Sequence, residues 1–149
     1  MILGGVEAGG TKFVCLVGDG EGRVLAEERL PTRGPRETLA DAVEALRRAA
    51  AGAGPLDAIG VAAFGPLDLR PGPGHGRLLS TPKPGWSGAD LLGPLRQAFG
   101  VPVAVDTDVT AAALAEGRWG AARGLRSFAY MTVGTGIPKS VWRSPPPLR

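Results

Sequence analysis

The sequence predicts an α/β fold in which helices cover a mixed β-sheet. Three observations support this prediction. Short apolar runs separated by glycines open the chain, as they do in antiparallel hairpins. Helical and strand-like periodicities then alternate, which is typical of parallel strands joined by helical crossovers. The 149 residues, 44% of them hydrophobic, are enough to bury one core.

The first three strands are predicted over Ile2 to Ala8, Phe13 to Gly18 and Arg23 to Leu30. Gly9-Gly10 and the glycine-rich segment 18–22 separate these runs. Glycines placed so closely between apolar runs indicate tight hairpins. We therefore expect three neighbouring antiparallel strands at the start of the chain.

Helices and strands alternate in the rest of the chain. Apolar residues at helical spacing predict three helices: Pro35 to Ala50, about Gly88 to Phe99, and Thr107 to Gly117. Short apolar runs predict three further strands: Ala58 to Phe64, Val101 to Val105, and Ser127 to Val133. The predicted order is βββαβαβαβ, with a long loop from Gly65 to Trp86.

The charge balance predicts no nucleic-acid partner. The chain has 17 Lys and Arg against 14 Asp and Glu, a net charge of +3. Three of these cations, Lys139, Arg143 and Arg149, lie in residues 138–149, which contain no acid. The rest of the chain is neutral, so no basic face is expected. We interpret residues 1–137 as one domain and residues 138–149 as an irregular, disordered Pro-rich tail.

Cysteine content and the amino-terminal sequence argue against a disulfide-bonded, zinc-binding, secreted or membrane-spanning protein. Cys15 is the only cysteine, so the chain can form neither an internal disulfide nor a cysteine-based metal cluster, and no zinc ligands are predicted. Residues 1–7 have no basic leader and no long apolar run. We therefore expect no signal peptide, no membrane span, and a cytoplasmic location.

A glycine pair at the first predicted hairpin could hold a phosphate. In Glu7-Ala8-Gly9-Gly10-Thr11-Lys12, the two glycines let backbone N–H groups approach an anion, and Thr11 and Lys12 add donors. Taken alone, a Gly-Gly pair is more often a simple tight turn. Other segments must decide between these two interpretations.

Two further segments could carry chemistry. In Val105-Asp106-Thr107-Asp108 a strand passes straight into an Ala-rich helix, which puts Asp108 at a helix amino terminus. The helix dipole keeps such a carboxylate charged and able to accept a hydrogen bond from a substrate hydroxyl, although an ordinary helix cap is the alternative. The small residues of Thr132 to Gly136 could approach phosphate oxygens or simply end a strand.

In this order and spacing, the three segments resemble the phosphate-1, catalytic and phosphate-2 segments of ROK-family sugar kinases. The resemblance covers Ile2 to Ile137. Gly65-Pro66-Leu67-Asp68 is a fourth match, and Ser80-Thr81-Pro82-Lys83-Pro84-Gly85-Trp86 is most similar to the fructokinase branch. The implied fold is the ribonuclease-H-like amino-terminal lobe of the actin and hexokinase superfamily. The implied activity is ATP-dependent phosphorylation of fructose, with glucokinase or another ROK hexose kinase as the alternative.

The resemblance also implies roles for individual residues. Asp108 would be the catalytic base, and Glu7 would assist magnesium. Seven residues would hold the ATP phosphates: Gly9, Gly10, Thr11, Lys12, Gly134, Thr135 and Gly136. The hexose would contact Thr107 and Asp108 as well as the loop residues Gly65, Pro66, Lys83 and Trp86, with Trp86 offering a flat apolar face. The implied cofactors are ATP and Mg²⁺.

The sequence departs from the family pattern in three places. Thr110 stands where many relatives carry Asn, and Pro138, which has no N–H, interrupts the glycine run expected after Ile137. The family's second lobe, which supplies an adenine pocket and a zinc site, is not in this sequence. Closure of two lobes aligns the reactants, so we expect these residues alone to be weakly active or inactive.

The resemblance leaves two other functional classes as alternatives. ROK transcriptional repressors carry a helix-turn-helix module before this lobe, whereas here the first predicted strand begins at Ile2. A non-catalytic remnant that binds sugar or nucleotide is the other alternative. A full-length form could be a homodimer.

Overall fold

The computed structural model describes residues 1–132 and 139–143, and the chain divides into two compact units, Met1–Thr107 and Asp108–Arg149. The first unit contains β1 (Ile2–Ala8), β2 (Lys12–Asp19), β3 (Val24–Pro31), α1 (Pro35–Ala51), β4 (Ala58–Ala63), α2 (Gly93–Phe99) and β5 (Val103–Thr107). The second unit contains α3 (Asp108–Arg118), β6 (Ser127–Met131) and β7 (Lys139–Arg143). The predicted order is confirmed as far as β6.

A five-stranded mixed sheet organises the first unit, with the strand order β3-β2-β1-β4-β5. β1, β2 and β3 pair antiparallel, whereas β4 pairs parallel to β1 and β5 pairs parallel to β4. Ala8 pairs with Ala63, and Ala63 pairs with Thr107. Because these three strands run in the same direction, their carboxyl ends form one edge of the sheet.

One face of the five-stranded sheet carries the core. Alternate strand residues such as Val6, Phe13 and Ile59 are buried there. Both helices of this unit contribute side chains to that core, among them Leu46 of α1 and Leu95 of α2. Burial of each such side chain stabilises the fold by roughly 1.5–3 kcal/mol. The other face carries the alternate set of strand residues, and this set includes Glu7.

A loop residue, Trp86, completes the core and has the largest fully buried side chain among the residues whose burial the structure describes. Its ring centroid lies 5.6 Å from those of Phe13 and Phe64. Its Nε1–H donates a hydrogen bond of 2.9 Å to the carbonyl oxygen of Arg33. Trp86 therefore joins the start of β2, the residue after β4, and the segment before α1.

The second predicted helix is shorter than expected, because α2 begins at Gly93 rather than near Gly88. Asp90 Oδ1 accepts hydrogen bonds from the N–H groups of Leu92 and Gly93, at 3.1 and 2.9 Å. Asp90 also forms a β-bridge with Arg77. These contacts hold residues 88–92 in a turn, because an Asp side chain that binds nearby N–H groups competes with helix formation.

The second unit pairs α3 with a two-stranded antiparallel sheet of β6 and β7. A Cβ added to Gly117 would lie 3.1 Å from the Phe128 ring, so glycine allows α3 to approach β6 closely. The prediction of an irregular tail is wrong for Lys139–Arg143, which forms β7. β7 forms because it can pair with the edge of β6, and the local composition of residues 139–143 does not indicate that this pairing partner exists. No helix in the described ranges is long and apolar enough to span a membrane.

The buried thiol of Cys15 gives a first prediction. Burial is the main cause that raises its pKa to about 12; Glu28 raises it further and Arg48 opposes the shift. At pH 8 only about one thiol in ten thousand would be ionised. We expect an aromatic disulfide reagent to label Cys15 at a rate that follows unfolding as urea is added. Labelling of the native chain as fast as the denatured chain would contradict this.

Substitution of Trp86 tests how far the core depends on it. Trp86→Phe keeps an aromatic ring but loses the hydrogen bond to Arg33, so the free energy of unfolding should fall by about 1–3 kcal/mol. Trp86→Ala should lower it by about 3–5 kcal/mol. Trp119→Phe is the control, because Trp119 is 49% exposed, and it should change stability by about 0.5 kcal/mol or less. Urea unfolding followed by circular dichroism measures all three, and equal values for Trp86→Phe and Trp119→Phe would exclude the proposed dependence.

Candidate functional site

Three candidate segments follow the parallel strands of the first unit. Gly9 follows β1, Gly65 lies two residues after β4, and Asp108 is the next residue in the chain after β5. The Phe64 N–H donates a hydrogen bond of 2.9 Å to the Ala8 carbonyl, which continues the pairing of β1 and β4 beyond β4. The glycine turn, the start of the loop and Thr107 therefore lie at the same edge of the sheet.

The glycine turn is tight at Gly9 and open at Gly10. The Gly9 N–H donates a hydrogen bond of 3.0 Å to the Lys12 carbonyl, and a Cβ on Gly9 would lie only 2.6 Å from that oxygen. Gly10 and Thr11 are exposed, and a Cβ on Gly10 would meet no atom within 4 Å. Only glycine fits at Gly9, whereas the space beside Gly10 is available to a ligand.

Thr32 is a contact of this turn that is not among the residues expected from the sequence. Its hydroxyl donates a hydrogen bond of 2.8 Å to the Gly9 carbonyl. Its N–H donates another, of 2.9 Å, to the Thr11 carbonyl. Thr32 follows β3 and is 23 residues from Gly9, so no local pattern could have linked the two.

Two carboxylates share the sheet face opposite the core. Glu7 pairs with Ala62, and Ala62 pairs with Asp106. Paired residues point to the same face, so the two acidic residues stand two strand spacings apart, about 10 Å. Asp106 has no role among the expectations from the sequence, because only the register shows this relation. In proteins, Mg²⁺ retains several water ligands and binds one or two carboxylates. At this separation the two carboxylates fit a hydrated magnesium ion, with water between the metal and at least one of them, better than an ion that both bind directly.

The loop from Gly65 to Trp86 is held by its own hydrogen bonds. It begins with a cis Gly65–Pro66 peptide bond, and both of these residues are exposed. The Asp68 N–H then donates to the Arg77 carbonyl at 2.9 Å. The Arg70 guanidinium donates to the Asp68 carboxylate and lowers the pKa of that carboxyl to about 2. Asp68 therefore stays ionised at neutral pH and keeps this contact.

The far end of the loop corrects one expectation. Trp86 is 0% exposed, so it offers no flat face to a sugar and instead anchors the loop from inside. Its backbone N–H donates to the Lys83 carbonyl at 3.2 Å, and the Lys83 N–H donates to Thr81 Oγ1 at 3.4 Å. Lys83 is half-buried in a turn that Trp86 fixes to the core.

Asp108 is the first residue of α3, as predicted. It is half-buried, and its Oδ1 accepts a hydrogen bond of 2.8 Å from the Val109 N–H. At this position the helix dipole stabilises a negative charge. In the same unit, Thr110 Oγ1 lies 3.5 Å from Ser140 Oγ, so Thr110 contacts β7. In the first unit, the Thr107 N–H donates to Asp106 Oδ1 at 2.7 Å.

The third predicted phosphate segment lies outside the described residues. Gly134, Thr135 and Gly136 all fall there, as does Pro138. Their assignment to the second phosphate loop stays a prediction.

Comparison with known proteins gives concordant results. The model of the ROK family matches residues 3–145. The chain is 46% identical over 138 residues to the fructokinase of Zymomonas mobilis. The aligned segment covers 91% of this chain and 46% of that enzyme. It thus spans about half the length of the curated relatives it matches.

Two solved structures show the same architecture. The ROK hexokinase of Thermus thermophilus superposes with a TM-score of 0.81 at 37% identity, over 95% of this chain and 46% of that chain. The ROK glucokinase of Streptomyces griseus, solved with glucose and AMPPNP, superposes with a TM-score of 0.80 at 30% identity, over 95% and 44%. Because the family model covers nearly its whole length and its relatives reach this identity, the chain belongs to the ROK family.

Proposed function

We propose that this chain forms the half of an ATP-dependent hexose kinase that binds the ATP phosphates and the sugar, and that the sugar is fructose. The observation that carries the proposal is the shared edge of β1, β4 and β5, where the glycine turn, the loop and Thr107 meet. The 46% identity to the Zymomonas fructokinase supports the choice of sugar. The resemblance of Ser80 to Trp86 to the fructokinase branch supports it further.

Asp108 is the proposed catalytic base. A sugar hydroxyl would donate a hydrogen bond to its carboxylate and lose its proton there as the oxygen attacks the γ-phosphoryl group, and ADP would leave. The transition state of phosphoryl transfer is loose, so alignment of the hydroxyl contributes more than proton removal. Its place at the start of α3 supports this role, because a carboxylate there lies beside the positive end of the helix dipole.

The phosphates are assigned to the glycine turn. Gly10 and Thr11 would direct N–H groups at phosphate oxygens, and the Lys12 ammonium would add charge. Gly134, Thr135 and Gly136 would contact the phosphates from the last predicted strand. Magnesium, when bound, neutralises phosphate charge; Glu7 would hold it, with Asp106 acting through water.

Glucose is the second candidate sugar, favoured by the superposition on the Streptomyces griseus glucokinase that was solved with glucose. Gly65, Pro66, Lys83 and Thr107 are the proposed sugar contacts in either case. Calorimetric titration of the chain with each sugar in the presence of AMPPNP and Mg²⁺ distinguishes the two. Tighter binding of glucose than of fructose would reverse the assignment.

A pair of glycine variants tests the phosphate turn. Gly10→Ala should leave the melting temperature unchanged, because the new methyl group meets nothing within 4 Å. It should weaken binding of MgATP about tenfold or more, since the methyl group would occupy the space of a phosphate. Gly9→Ala should lower the melting temperature, because its Cβ would lie 2.6 Å from the Lys12 carbonyl oxygen. Calorimetry and thermal unfolding measure both effects, and unaltered MgATP affinity in Gly10→Ala would remove the turn from the site.

Activity of the chain alone is a separate test. Relatives are about twice as long, and closure around both substrates aligns them. We therefore expect little or no ATP-dependent phosphorylation of fructose by these 149 residues, measured as ADP release in a coupled assay. Asp108→Asn is the control for a contaminating kinase. Robust turnover that Asp108→Asn abolishes would show that the chain is sufficient by itself.

A further inference from the structure

Two residues between β3 and α1, Thr32 and Arg33, form a strap that joins the glycine turn to the core. On one side, Thr32 donates hydrogen bonds to the carbonyls of Gly9 and Thr11, at 2.8 and 2.9 Å. On the other side, the Arg33 carbonyl accepts from Trp86 Nε1 at 2.9 Å, and the Arg33 N–H donates to Thr38 Oγ1 at 2.9 Å. Trp86 and Thr38 are both 0% exposed. The strap is therefore anchored on two fully buried side chains.

The hydroxyl of Thr32 sets the orientation of a particular peptide group. The carbonyl of Gly9 and the N–H of Gly10 belong to one planar peptide, in which oxygen and hydrogen point in opposite directions. Because the Thr32 hydroxyl binds that carbonyl, the Gly10 N–H must point away from the strap. Within residues 1–132 and 139–143, no group accepts a hydrogen bond from the Gly10 N–H. It is a backbone donor with a fixed direction, next to open space.

The fold alone does not require this hydroxyl. The pairing of β2 with β3 already runs from Lys12–Pro31 to Gly18–Val24, and the Thr32 N–H adds the bond to Thr11. Valine has the shape of threonine and would keep the backbone N–H. Loss of the hydroxyl should therefore leave the sheet intact and release only the Gly9–Gly10 peptide.

We infer that Thr32 is a positioning residue for the phosphate turn, because its hydroxyl directs the Gly10 N–H toward the place of a bound phosphate. The inference rests on the proposed function for the identity of the ligand, but the orientation of the turn can be measured without any ligand.

Thr32→Val and Thr32→Ser in the 149-residue chain form the matched pair, since the first removes the hydroxyl and the second keeps it. Backbone ¹⁵N relaxation of the ligand-free protein should show a more mobile Gly10 amide in Thr32→Val and a wild-type amide in Thr32→Ser. Calorimetry should show MgATP binding weakened about threefold to tenfold in Thr32→Val, as for one lost hydrogen bond, and nearly restored in Thr32→Ser. Ser87→Ala, which removes a comparable hydroxyl contact with Thr81, should leave the Gly10 amide unchanged.

Each outcome is decisive. A Gly10 amide and an MgATP affinity unchanged in Thr32→Val would overturn the inference, as would equal defects in Thr32→Val and Thr32→Ser. If the wild-type chain binds no MgATP, these residues do not hold the phosphates by themselves, and the relaxation data alone decide whether Thr32 fixes the peptide. A melting temperature lowered in Thr32→Val but not in Thr32→Ser, with the Gly10 amide unchanged, would indicate a purely structural role and would also overturn it.

Discussion

The in-register parallel pairing of β1, β4 and β5 is the constraint on which the candidate site depends. A slip of one residue would turn every side chain of a strand to the opposite face. Ala8 and Ala63 would then leave the core, and Glu7 would enter it. The same slip would move the glycine turn away from Gly65 along the edge by about 3.3 Å. The observed register places Ala8 and Ala63, the last residues of β1 and β4, on the face that carries the core, where both are buried.

In the first unit, the same residue, Trp86, packs in the core and holds segments of the candidate site. Trp86 packs against Phe13 and Phe64, each of which is adjacent to a segment assigned to a ligand. Its indole N–H also holds the strap that reaches the glycine turn. A substitution that loosens this ring should therefore disturb the turn and the loop together. Burial of this aromatic side chain stabilises the fold by removing apolar area from water. The same contacts restrict the conformation of the loop and so help to position the candidate site residues.

The second unit adds features that the family resemblance did not suggest. β7 pairs with β6 over Lys139–Arg143, and Ser140 of this strand contacts Thr110. Half of the exposed large hydrophobic side chains of the described residues belong to this unit: Leu114, Trp119, Leu125, Met131 and Val141. Relatives have about as much sequence again as this chain. Exposed apolar side chains of this kind suit packing against further protein, and this agrees with the proposal that the activity belongs to a longer form.

The sequence by itself determined the features that depend on neighbouring residues. Glycines between apolar runs predicted the two hairpins, the apolar face after Pro35 predicted α1, and the passage from strand to helix placed Asp108 at a helix start. The quoted motifs were also enough to indicate the family. The tertiary structure decided the burial of Trp86, the contact of Thr32 with Gly9, the shared face of Glu7 and Asp106, and the pairing of β7. Each of these joins residues that are distant along the chain, so they depend on sheet register and packing, which local composition and periodicity do not encode.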